Sequence, residues 1–304
     1  MPDLEFHLIV RADCEATQHA INDAALGERS ARGLAEIAAA EGLRTTLLVI
    51  PTDLEASPAL YRELDRAGHE VGLHVHPADQ GYEEFLGVYG PGDQKKIVGE
   101  AADRFGQVMG RRPASVCIGY GSANDHTYPV FVELGFRHGH ISIPSRVLPE
   151  CASVWAGAPL DMHYAHPHNR LLPGWLDFVE VPQTLDPDSR MWGGRHPQDL
   201  RVELVDAKNH WYTTAKAVDR QVREATPVKY IHVVTHNIFE FGREGDFRRE
   251  TLVKMIRQAK KIVADKGGTV KAATMADCAR DYRARCPLEK APGLKLALDT
   301  RGRG

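Results

Sequence analysis

The chain has 304 residues, 43% of them hydrophobic, and a formal net charge of −3. That length is enough to bury one large core. With 38 basic residues against 41 acidic ones and no Lys/Arg block, neither a nucleic-acid partner nor an anionic membrane is expected. The five cysteines, Cys14, Cys117, Cys151, Cys278 and Cys286, are scattered and form no C-x-x-C pair, which argues against a disulfide framework or a cysteine zinc site. The opening "MPDLEFHLIVRADCEA" runs straight into a strand-like pattern, so no signal peptide is expected and a cytoplasmic protein fits.

Short apolar runs rich in Val, Ile and Leu predict strands at Phe6–Ala12, Thr45–Ile50, Glu70–His76, Ala114–Ile118, His138–Ser142, Phe178–Val181, Tyr230–Thr235 and Thr269–Ala272. Helical patterns lie between many of them. "SARGLAEIAAAEG" puts Leu34, Ile37 and Ala38 on one face. "SPALYRELDRAG" offers Ser57 as N-cap and Pro58 at the first helical position. "GDQKKIVGEAADRFGQVMG" is expected to start at an Asp93 cap, and "DFRRETLVKMIRQAKKIVADKG" is strongly amphipathic.

Gly42, Gly68, Gly110, Gly135 and Gly267 stand where helices should stop, each shortly before a strand. Repeated strand–helix–glycine–strand units predict a parallel sheet. The expected fold is α/β, a distorted (β/α) barrel of seven or eight strands, with a doubly wound open sheet as runner-up. No G-x-G-x-x-G follows the first strand, which weighs against a dinucleotide fold. Residues 143–200, rich in Pro, Gly, Trp, His and Arg, should form an elaborated loop region over one end of the barrel. One domain is expected over residues 1–286, with 287–304 as a C-terminal tail.

Chemistry in parallel α/β folds sits at the carboxyl ends of strands. Those ends carry Asp13 and Glu15, then His74 and His76, then Tyr120 and Asp125, and finally His236. Asp13 and Glu15 share one side of a strand, as do His74 and His76. One carboxylate could bind a metal while the other acts as a base. A carboxylate with two imidazoles suits Zn²⁺ best, with Mn²⁺, Co²⁺ or Ni²⁺ as alternatives. A lone H-x-H is more often structural than metallic, and "HGH" at His138 and His140 has the same spacing and serves as a decoy. What singles out His74 and His76 is their convergence with acids and a further histidine at predicted strand ends.

This pattern resembles the polysaccharide deacetylase family, the NodB-homology or carbohydrate esterase family 4 group. The first strand is also similar to YdjC-type carbohydrate deacetylases. The family's first motif, T-F-D-D or D-x-D, is matched by "ADCEA", which implies Asp13 as base and Glu15 as metal ligand. "GHEVGLHVHP" keeps the lead-in of the second motif, but His74 and His76 are two apart where the family's histidines are four apart. "CIGYG" stands for R-x-P-Y-G: Tyr120 and Gly121 match, while Cys117 and Gly119 replace Arg and Pro. His236 in "VVTHN" matches the last motif, and Asp161 is the candidate for the fourth. In the family the arginine of the third motif orients the catalytic aspartate; here Arg11 is the candidate substitute.

The resemblance implies a metal-dependent hydrolase that removes an acyl group, N-acetyl above all, from a carbohydrate or sugar-like substrate. Glu15, His74 and His76 would hold the metal. Asp13 would be the base, His236 the acid, and the backbone N–H of Tyr120 an oxyanion donor. Trp155, Asp161, Trp192 and Arg195 are expected to bind substrate, and Arg170 and Arg190 could pair with its acidic groups. The "MHYAHPHN" cluster, His163, His166 and His168, would be a solvated loop or line the cleft. Two rivals stand beside this reading: a hydrolase of cyclic amides on the same scaffold, and a non-catalytic carbohydrate-binding relative.

Overall fold

The computed structural model describes residues 4–291. In chain order its elements are β1 (Glu5–Cys14), α1 (Ala24–Ala40), β2 (Thr45–Val49), α2 (Pro51–Ala56), α3 (Pro58–Arg66), β3 (Glu70–Val75), α4 (Pro91–Met109), β4 (Ser115–Ile118), α5 (Thr127–Glu133) and β5 (His138–His140). The irregular middle of the chain holds β6 (Val147–Leu148), β7 (Ser153–Val154), β8 (His163–Tyr164), β9 (Val179–Glu180), β10 (Leu185–Met191) and β11 (His196–Asp199). Then come α6 (Ala207–Arg223), β12 (Lys229–His236), α7 (Phe247–Asp265), β13 (Thr269–Ala272) and α8 (Met275–Arg285).

Among the described residues the main sheet has the strand order β12-β1-β2-β3-β4-β5-β9-β8, and β13 pairs with the lower half of β1. Successive strands are neighbours and the pairing is parallel until β8, which is antiparallel to β9. An order that never reverses gives a curled sheet with helices outside. A doubly wound sheet must reverse at a switch point, so the runner-up is excluded and the distorted barrel stands.

Between β8 and β12 the barrel wall is made by irregular chain. Thr184 donates to the His232 carbonyl (3.3 Å), Val202 donates to the Val234 carbonyl (3.0 Å), and Val234 donates to that of Leu200 (3.1 Å). The free edge of β12 is thereby covered. The 143–200 region is more ordered than a loop: it contains the hairpins β6–β7 and β10–β11 as well as β8 and β9.

The strands obey a period of two. On β1, Phe6, Leu8, Val10, Ala12 and Cys14 join the large core beneath the helices, as do Val71, Leu73 and Val75 on β3. The alternate positions face the barrel interior, and there the sequence is polar: Arg11 and Asp13 on β1, His74 on β3, Cys117 on β4 and His140 on β5. A second apolar cluster, with Ile9, Leu48, Val179, Tyr230, Met275 and Cys278, closes the opposite end under α8.

Some boundaries differ from expectation. Helix α4 starts at Pro91 with Gly90 at the N-cap, so Asp93 lies inside its first turn and does not cap it. Ser57 occupies the α3 N-cap position, but its side chain makes no capping hydrogen bond. Gly42, Gly68, Gly110, Gly135 and Gly267 all have positive φ, from 70° to 93°. Leu288 and Ala291 pack on the second cluster, so the start of the expected tail is tied to the domain; residues 292–304 lie outside the described residues. No described helix is long and apolar enough to cross a membrane.

Candidate metal centre and active site

The register of two neighbouring strands sets the site. Asp13 at the end of β1 lies opposite His236 at the end of β12. Strand β3 ends beside them, bringing His74 and His76 to the same mouth. Nε2 of His74 lies 3.2 Å, and Nε2 of His76 2.9 Å, from the same Glu15 oxygen, Oε2. Two imidazole nitrogens and a carboxylate oxygen thus converge on one point. Their chemistry suits a borderline cation such as Zn²⁺ and leaves the cavity side open.

His76 and Glu15 also have supports, whereas Nδ1 of His74 is buried without a partner. Nδ1 of His76 hydrogen-bonds Glu84, and the Glu15 N–H donates to Oδ1 of Asn237 (2.7 Å). Burial alone would lower the pKa of His76, but Glu15 and Glu84 push it up to about 10. Burial would raise the carboxyl of Glu15, yet His74 and His76 hold it well below the usual range. A carboxylate behind an imidazole ligand fixes its tautomer and raises its basicity, and Glu84 occupies that place for His76.

Asp13, His74 and Cys117 form a second cluster of ligating types. It already contains a cation. Nη1 of Arg11 sits 3.1 Å from Oδ1 of Asp13 and 3.0 Å from Sγ of Cys117, and both Arg11 and Asp13 are buried. Burial would raise the pKa of Asp13, but Arg11, His74 and His236 hold it below the ordinary value. Burial pushes the Cys117 thiol up, which keeps it protonated. A neutral thiol beside a guanidinium is a poor metal site, so the trio of Glu15, His74 and His76 is the better centre.

The geometry accounts for two departures in the third motif. Arg11 reaches Asp13 from β1 and fills the space beside residue 117, where a second arginine would place like charge against like. At residue 119 an ideal Cβ would lie 2.6 Å from Nε2 of His76. Glycine is required because the imidazole, only two residues beyond His74, lies against that backbone. Gly119→Ala is therefore expected to push the His76 ring aside and to weaken metal binding by about ten- to a hundredfold, the size of effect seen when a ligand's support is disturbed. A metal titration of the purified variant checks this.

His236 completes the mouth. Its Nε2 is 4.0 Å from both Asp13 and Glu15, and its Nδ1 is 2.6 Å from Oε1 of Glu203. Burial would lower its pKa, but the Glu203 carboxylate raises it. Tyr120 has a left-handed backbone (φ 60°), and its carbonyl accepts from Nη1 of Arg146 (2.7 Å). A cavity of about 320 Å³ joins Asp13, Glu15, His74, His76, Tyr120 and His236.

The expected substrate residues separate. Trp192 lines the cavity, half-exposed, with its ring stacked on His196 (4.4 Å between centroids). Trp155 is fully buried and donates to the Gly121 carbonyl (2.8 Å), so it anchors the loop under the site and cannot stack on a sugar. Asp161 forms a bidentate pair with Arg220 (both 2.6 Å) and lines a different, nearly closed cavity; the carboxylate partner of His236 is Glu203. Arg195 is paired with Glu150, Arg170 with Asp125, and Arg190 donates to the Ser145 carbonyl; none of the three lines the cavity.

The decoy "HGH" divides. His138 bonds Glu70 (2.8 Å) away from the site, whereas His140 lines the cavity floor. His163 is buried against the Asp161 carbonyl, and Nδ1 of His166 accepts from the backbone of His168 and Asn169, so "MHYAHPHN" is a folded turn outside the cavity. Glu84, Glu203, Arg146 and Arg201 were not singled out from sequence. The first two are recognisable only as carboxylates behind a histidine, a relation that needs the fold.

Comparison with known proteins agrees with this picture. The model of the polysaccharide deacetylase family matches residues 10–139. No curated protein matches the chain by sequence. Among solved structures, a Mycobacterium smegmatis protein assigned to the polysaccharide deacetylases is 17% identical, with a TM-score of 0.64 over 98% of this chain and 96% of the other. A Pseudomonas aeruginosa PAO1 protein assigned likewise is 14% identical, with a TM-score of 0.60 over 93% and 92%. Puue allantoinase is 16% identical, with a TM-score of 0.59 over 93% and 91%. At such identities these likenesses speak for the fold. Residues 10–139, which carry Asp13, Glu15, His74, His76 and the β4 exit, match the polysaccharide deacetylase family, and the chain as a whole has the fold of structures assigned to that family.

Proposed function

We propose that the chain is a metal-dependent hydrolase of amide C–N bonds, with an N-acylated, sugar-like molecule as substrate. The observation that carries this is the convergence of the two imidazole Nε2 atoms on one oxygen of Glu15, with Asp13 and His236 flanking them. A divalent cation, most suitably Zn²⁺, would be held by Glu15, His74 and His76, and would supply Lewis-acid polarisation of the substrate carbonyl and acidify water.

The protein's own groups then divide the proton work. Asp13, kept ionised by Arg11, is placed to accept a proton from the attacking water. His236, whose hold on a proton Glu203 strengthens, is placed to donate one to the leaving nitrogen. The Tyr120 backbone N–H is the candidate oxyanion donor. A cyclic amide would use the same groups, with the ring nitrogen as leaving group. The fold of an allantoinase over nearly the full chain supports keeping that second reading.

The test pairs metal analysis with hydrolysis. Asp13→Asn is expected to keep its metal and lose activity by about two to four orders of magnitude, the usual contribution of a positioned base. Activity that survives complete chelation of the wild type would sink the mechanism. Release of acetate from N-acetylated sugars, against ring opening of small cyclic amides, separates the two substrate readings.

A further inference from the structure

We infer that the substrate of this cavity carries a carboxylate, held by Arg146 and Arg201 beside the proposed metal centre. The inference rests on the reading of the cavity as a hydrolase site and adds the substrate's charge to it.

Both guanidinium groups line the same cavity as Glu15 and His76. Arg146 is 3% exposed. It is held by two neutral acceptors, donating from Nε to Nδ1 of His196 (3.0 Å) and from Nη1 to the Tyr120 carbonyl (2.7 Å). Among the described residues it is paired with no carboxylate. The Trp192 ring, 5.9 Å from its Cζ, is a weak substitute. Arg201 comes nearest to an acid at Oδ2 of Asp199, 3.9 Å away, and its buried Nε has no partner.

The nearby carboxylates are already committed. Asp199 accepts from His196 (3.1 Å), from the Gln183 amide and from the backbone N–H of Arg201. Asp13 is paired with Arg11, and Glu203 with His236 and Thr235. Glu15 faces the two imidazoles, and a bound cation would add further positive charge. A guanidinium that is buried without a counter-charge is unfavourable. Arg146 is such a group, and Arg201, partly buried and only loosely paired with Asp199 at 3.9 Å, lines the same cavity; together their planar forks describe a site that an anionic substrate completes. Burial and the neighbouring Arg201 bring the pKa of Arg146 down to about 9, in keeping with a cation that lacks its partner.

The experiment uses two pairs of which one member bears a carboxylate: N-acetylmuramate against N-acetylglucosamine, which differ by an O-lactyl group, and dihydroorotate against dihydrouracil, which differ by the carboxylate alone. Binding is measured by calorimetry on the full chain stripped of metal, and hydrolysis on the metal-loaded protein. The expected result is a preference for the carboxylate member of at least one pair. Arg201→Gln and Arg146→Gln should each weaken binding of that member by about ten- to a hundredfold, as for loss of a charged hydrogen bond, and weaken its neutral counterpart far less. Arg201→Lys, which keeps the charge and loses the fork, should fall between. Circular dichroism and metal content confirm that the variants are folded; if Arg146→Gln is not, the Arg201 pair decides.

No preference in either pair overturns the inference, as does equal loss for both members in Arg201→Gln. Tighter binding of N-acetylglucosamine 6-phosphate than of N-acetylmuramate overturns it in favour of a phosphate. Carboxylate-selective binding without hydrolysis of any substrate would refute the hydrolase reading and leave the anion site standing. Hydrolysis of neutral and charged substrates alike, unaffected in Arg201→Gln, would do the reverse.

Discussion

Replacing Glu15 with alanine is expected to abolish stoichiometric metal binding and to lower hydrolysis by roughly three orders of magnitude or more, the equivalent of several kcal/mol of transition-state stabilisation. One oxygen of Glu15 is the point on which His74 and His76 converge, at 3.2 and 2.9 Å. Without it two imidazoles remain, a set with no charge to offset a divalent cation. Mass spectrometric metal analysis and an activity assay on the purified variant check the prediction together. A Glu15→Ala protein that kept a full complement of metal at this site would refute the assignment. Glu15→Gln separates charge from shape, since it keeps the size of the side chain and loses the negative oxygen.

The second large effect concerns Arg11. Arg11→Leu leaves the Asp13 carboxylate buried without its counter-charge, which is expected to cost about 3–5 kcal/mol of stability at neutral pH. The sign with pH follows from the pKa of Asp13. Burial would raise it, but Arg11 and the neighbouring histidines lower it in the folded chain. The ion pair therefore stabilises the fold above the usual carboxylate range, and that stabilisation is lost as pH falls through the lowered value. In Arg11→Leu the pKa of Asp13 rises. If Asp13 is the base, the acid limb of kcat/KM then moves to higher pH. The double variant Arg11→Leu/Cys117→Arg should recover part of both losses, because it supplies the guanidinium from the strand where the family's third motif carries it. Thermal unfolding and a pH–rate profile read the two effects separately. If the double variant is worse than the single one, the two arginine positions are not equivalent.

Much of the barrel was legible because its strands are short apolar runs punctuated by glycine, and the five helix-ending glycines all adopt the left-handed conformation that such an end favours. Helix α6 was not legible. Its buried face includes His210, Thr213, Thr214 and Gln221, so the apolar stripe that marks a helix is broken by buried polar residues. Trp155 misled for the opposite reason: an aromatic in a Gly- and Pro-rich stretch looks like a sugar platform, yet its N–H fastens a loop to Gly121. Strand ends announced Asp13, Glu15, His74 and His76 through period-two spacing, and His236 as the histidine that closes an apolar run. Arg146 and Arg201 gave no such sign, since irregular chain carries them to the cavity and no local pattern says which arginine in an arginine-rich stretch will face it.

The pairing of Asp13 with His236 is fixed by a hydrogen-bonded strand register, while Trp192 and Arg146 reach the cavity from the irregular segment between β5 and α6. Chemistry and recognition therefore belong to parts of the molecule that can change independently. Insertions or exchanges between residues 146 and 200 alter what the mouth admits without moving one strand past another. A slip of a single residue between β1 and β12, by contrast, would shift every facing pair by about 3.3 Å. Diversity among proteins built on this plan should accumulate in the hairpins, and the acid–base geometry should pass between them intact.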